Sequence, residues 1–181
     1  YDQAVSLNPN FFYPLLRSGV VNEQQGRIAK AKRRLNRSLA LLETAQAYNA
    51  LGAIAEREGN LQQAEELYAR AAQDSGAAGQ TAVTSLVSLR SKSNPAALVG
   101  LRWGIGVDGS LQIEATNKTP RTLAGINLQL RIIDAQGNPR SHRQPLARLR
   151  PSQVVQISTG LRPGSGQVQL SVVSIESVQD G

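Results

Sequence analysis

The sequence predicts an α + β protein in two domains: a solenoid of helical hairpins, then a small antiparallel β-sandwich. Three observations carry this reading. Up to residue 93 the chain is rich in Ala, Leu, Glu and Gln, with apolar residues at helical spacing. Within that half, a pattern of small and large residues recurs after 33 residues. Beyond Ser93–Asn94–Pro95, short runs of Val, Ile and Thr alternate with polar residues and are separated by glycine turns. Pro95 forces Asn94 out of helical geometry, which sets the junction there. The expected domains are 1–93 and 96–181.

Composition narrows the function classes. The 181 residues are 40% hydrophobic and 18% charged, as in an ordinary folded protein. No apolar run reaches the roughly 18 residues that a membrane-spanning helix needs. Cysteine is absent, which removes disulfides, thiolate nucleophiles and cysteine-based metal sites. The only histidine is His142, so no two-histidine metal site forms within one chain, and Ser–His–Asp chemistry would rest on that residue alone. A non-enzymatic chain without cofactor or metal is expected. The net charge of +7 attracts anionic partners, but it is spread: residues 1–95 hold 11 basic and 8 acidic groups, and residues 96–181 hold 9 and 5. The chain has no methionine and begins YDQAV, so a processed or truncated chain is expected.

The helical half justifies its elements through the repeat. Gly19, Gly26, Ala31, Leu35 and Ser38 align with Gly52, Gly59, Ala64, Tyr68 and Ala71, each pair 33 residues apart. Small residues fall where two helices must approach closely, and larger ones where a hole must be filled. Each unit reads helix, glycine turn, helix. Gly59 ends a helix and Asn60 caps the next. Tyr1, Ala4 and Pro9 fit the same register, so 1–10 reads as the end of a further repeat, and the chain as part of a longer protein. Residues 12–43 and 45–76 are then full repeats. In 78–91, Ala78, Ala82, Leu86 and Leu89 share one helical face, as a capping helix would require.

The interval and its residues resemble the tetratricopeptide repeat (TPR), whose period is about 34 residues. In that pattern an aromatic, a Leu–Gly pair, an Ala, a second aromatic and a second Ala recur. Here they are Tyr48, Leu51–Gly52, Ala64, Tyr68 and Ala71. The first unit departs from the pattern at Asn22 and Ser38 and lacks the Leu before Gly19. The resemblance implies a concave face, lined by the first helix of each repeat, that grips a protein or peptide. By register its positions are Tyr13, Leu16, Val20 and Glu23 in one unit and Gln46, Asn49, Ala53 and Glu56 in the next. Asn and Gln can hydrogen-bond an extended backbone, and Tyr13 and Leu16 can anchor an apolar side chain.

After the junction, LVGLRWGIGV and SLQIEATN flank Asp108–Gly109, a strong hairpin signal. Leu111, Ile113 and Ala115 face one way. Leu128, Leu130 and Ile132 alternate in the next strand. A polar connection containing His142 leads to PLARLRPSQVVQIS, and the last strand alternates at Val168, Leu170, Val172 and Ser174. Five to seven short strands without intervening helices argue for a sandwich and against a parallel sheet. The run N-K-T-P-x-T…I-x-L-x-L-x-I-x-D-x-x-G from Asn117 resembles Ig-like domains of bacterial envelope proteins. The whole layout resembles the C-terminal part of bacterial TPR-bearing zinc metallopeptidases, whose HExxH motif is not in this sequence. That likeness implies a periplasmic or envelope location, with the cytoplasm as the alternative.

Further candidates stand beside a plainer reading. Arg27, Lys30, Lys32, Arg33, Arg34 and Arg37 crowd one helix, and Lys30, Arg33, Arg34 and Arg37 share its outer side. The stripe reads as a site for phosphates or acidic lipids, or as a solvated face. No aromatic is interleaved, which disfavours base stacking and nucleic acid. His142 reads as an exposed loop residue. Trp103 reads as core packing. The sequons at Asn36 and Asn117 read as unmodified. The expected function is a non-catalytic interaction scaffold that binds a partner protein or peptide. The alternatives are a substrate-recruiting tail of a metallopeptidase, and an anion-surface or nucleic-acid binder using helix 27–37.

Overall fold

In a computed structural model, which describes residues 1–164 and 166–179, helices come first and two antiparallel sheets follow. The helices are α1 (Asp2–Leu7), α2 (Phe12–Gln24), α3 (Ile28–Leu41), α4 (Ala45–Arg57), α5 (Leu61–Ala71) and α6 (Ala77–Ser93). A short 3-10 turn, Pro95–Ala97, precedes β1 (Val99–Ile105), β2 (Leu111–Asn117), β3 (Thr122–Ile133), β4 (Pro139–Leu149), β5 (Val154–Ser158) and β6 (Gln167–Gln179). The chain divides into two compact units, Tyr1–Leu86 and a second from Val87 onward.

In the first unit α2 pairs with α3 and α4 with α5. The two hairpins close identically. Gly26 and Gly59 take left-handed φ of 72° and 79°, a conformation in which a side chain would be strained. The amide three residues past the end of each helix then bonds back, Arg27 N–H to Asn22 O at 2.8 Å and Asn60 N–H to Ala55 O at 2.9 Å. Asn60 also caps α5, its side chain accepting from the Gln63 amide at 3.3 Å.

The crossing points follow the small-and-large pattern of the sequence. A Cβ on Gly19 would come within 2.6 Å of Leu35, and one on Gly52 within 2.7 Å of the Tyr68 ring. Each glycine is therefore the hole into which the large residue of its own hairpin fits. Leu16, Ala31, Leu35, Ala47, Leu51 and Ile54 form the core across both hairpins. Burying each large member stabilises the fold by about 1.5–3 kcal/mol. Tyr48, Ala71 and Ala82 form a second cluster, in which Ala82 of α6 closes the end of α4–α5.

The second unit holds two three-stranded sheets, in the orders β1-β2-β5 and β4-β3-β6. Each central strand is the most buried. Leu111, Ile113, Ala115 and Asn117 of β2 alternate with half-buried residues. Leu123, Ile126, Leu128 and Leu130 of β3 are fully buried. Asn117 belongs to this interior: its amide donates to the carbonyls of Arg121, Leu149 and Arg150 at 2.7, 3.0 and 3.0 Å. Its carbonyl accepts from the Thr119 amide at 2.8 Å.

Three strand expectations are corrected. The connection containing His142 is part of β4, where His142 pairs with Leu130. A polar strand reads as a loop because β4 lies at a sheet edge and buries little of itself. Trp103 is 47% exposed, because β1 is also an edge and only its start is covered. In β6 the pairing shifts between Asn127 and Leu128 of its neighbour, so Val173 bulges. Beyond the bulge Ile175 is buried in place of the expected Ser174.

Candidate functional site

The expected groove residues lie on α2 and α4, the first helices of the two hairpins, and these helices touch. Their environments differ. Tyr13 is 48% exposed, and Gln46 is exposed as well. Val20, Asn49 and Ala53 are half-buried. Leu16 is a correction: at 3% exposure it belongs to the core and supports the surface from beneath, so it offers no anchor. A helix position facing a neighbouring helix is sealed whatever its register with a ligand face.

The two acids are already engaged. Glu23 forms an ion pair with Arg57, which ties α2 to α4. Glu56 accepts a hydrogen bond from the Tyr68 hydroxyl at 3.0 Å. Burial, and then this carboxylate, push the Tyr68 hydroxyl well above its ordinary pKa, so it stays a donor at every physiological pH.

Sequence reasoning passed over several residues of this surface. Phe11 and Phe12 join Tyr13 in an aromatic group, with centroids 6.4 Å (Phe11) and 6.3 Å (Phe12) from that of Tyr13. Phe11 is itself 46% exposed. Arg17 lies with its guanidinium 5.9 Å from the Tyr1 ring centroid. Two buried polar atoms, Arg17 Nε and Asn49 Oδ1, have no hydrogen-bond partner among the described residues. Buried polar atoms are nearly always satisfied, and leaving one unpaired costs about 1–3 kcal/mol. Adjacent letters in the sequence pointed toward them: Phe11 and Phe12 precede Tyr13, and Arg17 follows Leu16.

The basic stripe is present on α3. Lys30, Arg33, Arg34 and Arg37 line a depression of about 290 Å³. Two of these four cations share one carboxylate, since Asp2 of α1 lies 2.6 Å from Lys30 and 3.5 Å from Arg34. These cations and Ser18 hold the Asp2 carboxyl below its ordinary pKa, the Lys30 hydrogen bond contributing most. Arg27 turns away to Asn22 and Gln25, and Lys32 pairs with Glu58. The stripe is thus a partly neutralised surface with Arg33 and Arg37 as its exposed cations.

In the second unit Trp103 of β1 is the cross-strand partner of Ile113 and is exposed, and His142 is exposed on β4. Of the two sequons, Asn117 has its side chain buried in the hydrogen bonds described above, while Asn36 is exposed on α3. Among the described residues no three His, Cys, Asp or Glu side chains gather as a metal site would require, and no helix is long and apolar enough to cross a membrane. No family model matches the chain, and no curated protein or solved structure matches it.

Proposed function

We propose that this chain is a non-catalytic interaction scaffold. In this reading its helical unit is a TPR-type module that holds an extended polypeptide on the face of α2 and α4. The two sheets form a small Ig-like sandwich attached to it. One observation carries the reading: the first helices hold the two buried side-chain polar atoms left unpaired among the described residues, Arg17 Nε and Asn49 Oδ1. Both atoms are covered in the free chain, so each side chain has to turn outward on binding; a peptide backbone then supplies what each lacks, a carbonyl for the donor and an N–H for the acceptor. Tyr13 and Phe11 add exposed apolar area for a side chain of the ligand. The Glu23–Arg57 pair locks α2 to α4, so little order has to be created on binding.

The test is a selection of peptides from a display library against the whole chain, followed by titration of variants. Tyr13→Ala and Asn49→Ala should weaken the selected peptides about tenfold or more, the loss expected for a central contact. Gln62→Ala, on the exposed side of α5, should leave affinity unchanged. Peptides that bind all three variants equally overturn the reading.

A second reading is favoured by the all-cationic depression on α3. There the chain associates with an acidic surface through Arg33 and Arg37, with Lys30 and Arg34 recruited from Asp2. Binding to vesicles of phosphatidylglycerol that persists unchanged in Arg33→Gln and Arg37→Gln would remove it.

A further inference from the structure

The second unit carries a cleft of about 590 Å³ that none of the readings above uses. Its walls come from the end of β3, the turn after it, the start of β4, and residues 160–163 beyond β5. Arg140 and His142 stand on one face of β4, because both are even-numbered positions of an extended strand. Their partners on β3 are Ile132 and the fully buried Leu130. Cross-strand partners share a face, so both polar side chains are set on the interior side of the sheet. Arg162 reaches the same cleft from a different segment, and Leu161, Pro163 and Ile132 make its apolar wall.

The charge of this cleft is not balanced from within. Asp134 is its only carboxylate among the described residues. That carboxylate is committed to the β3–β4 turn, accepting from the Gln136 and Asn138 amides at 3.0 and 2.8 Å and from the Asn138 side chain at 3.3 Å. The side chains of Arg140, His142 and Arg162 form no hydrogen bond or ion pair among the described residues; Arg140 feels Asp134 and Arg162 feels Asp108 only through space. Edge strands do carry inward charges that deter pairing with other strands. That role explains Arg140 and His142 but not Arg162, which lies outside any strand and converges on the same space.

We propose that the cleft is a binding site for an amphiphilic anion: a carboxylate or phosphate head held by Arg140 and Arg162, with an apolar stem against Ile132, Leu161 and Pro163. Guanidinium groups present planar paired donors that match either head. His142 completes the rim and can donate to a head-group oxygen. The apolar wall selects against bare inorganic ions, because its burial stabilises only a ligand that carries a stem.

The test titrates the whole chain with octanoate, with octyl phosphate and with uncharged octanol, following backbone amide signals by NMR. At least one anion should saturate at one site and shift residues 132–142 and 160–163. Arg140→Gln and Arg162→Gln should each weaken it about tenfold, as loss of a charge-assisted contact does. Arg131→Gln, on the outward face of the same hairpin, makes the same change of charge and should leave affinity intact. The ratio between the two anions identifies the preferred head. Absence of saturable binding by both anions, equal binding of octanol, or equal weakening by Arg131→Gln would overturn the proposal. Thermal midpoints of the three variants should equal that of the parent, since all three arginines are exposed.

Discussion

Replacing Gly52 with alanine tests why the helices cross where they do. The added methyl would sit 2.7 Å from Cδ1 and Cε1 of Tyr68, whereas carbon atoms pack best at about 3.5–4.0 Å. The ring has to retreat by about 1 Å to restore that spacing. It is poorly placed to do so, being 3% exposed and tethered through its hydroxyl to Glu56 at 3.0 Å. Overpacking of this kind costs about 1–3 kcal/mol. Greater helix propensity returns up to about 1 kcal/mol. A net loss of about 1–2 kcal/mol is expected, read as a lower urea midpoint of the helical circular-dichroism signal. The decisive comparison is a double-mutant cycle with Tyr68→Ala. In that background the methyl has room, so Gly52→Ala should be neutral or stabilising, with a coupling of about 1–3 kcal/mol. A Gly52→Ala change that costs the same in both backgrounds would refute the hole-and-filler account.

Other outcomes follow from the same geometry. Asn117→Ala removes a donor from the buried Leu149 carbonyl and the acceptor of the Thr119 amide, while the Arg121 and Arg150 carbonyls keep the Thr119 hydroxyl and the Gln153 amide; it should cost about 1–3 kcal/mol in denaturant unfolding of the β unit, whereas a loss near zero would contradict the role assigned to it. Asp108 and Asp134 have carboxyls held below the ordinary value, chiefly by hydrogen bonds from Ser110 and from the Asn138 amide. A depressed folded-state pKa contributes stability above the unfolded value and loses it as pH falls through the folded one. The thermal midpoint should thus be flat above the ordinary carboxylate value of 3.8 and decline below it, with a smaller decline in Asp134→Asn. Removing the charge of Asp2 should strengthen binding of the α3 stripe to acidic vesicles at low salt, and added salt should abolish the gain; an unchanged affinity would show that Asp2 does not mask Lys30 and Arg34.

The parts of this fold that were legible in the sequence are those fixed by near neighbours or by a repeat. Gly19 with Leu35 and Gly52 with Tyr68 announced the crossings, because the same small-and-large pair recurs at one interval. Gly59–Asn60 and Asp108–Gly109 announced turns through backbone requirements that few other residues meet. The alternation of β2 was plain because a central strand has one buried face along its whole length. What depends on strand order was not legible. Trp103 is exposed, and the strand around His142 is polar, because β1 and β4 lie at sheet edges, and nothing within either segment encodes that position. The bulge at Val173 reverses the inward side of β6 through a single residue. The candidate groove was legible as a register, yet the partners of its members were not. Glu23 meets Arg57 from the neighbouring hairpin, and Leu16 is sealed beneath α4, and both facts arise only when the two hairpins pack.

The most direct measurement places a benzophenone side chain at Gln46 in one sample of the chain and at Gln62 in another, then irradiates each with the same display-selected peptide. Attachment of the peptide from position 46 and none from position 62 is what binding along α2 and α4 predicts. Attachment from position 62 alone would put the ligand on α5 and contradict the account.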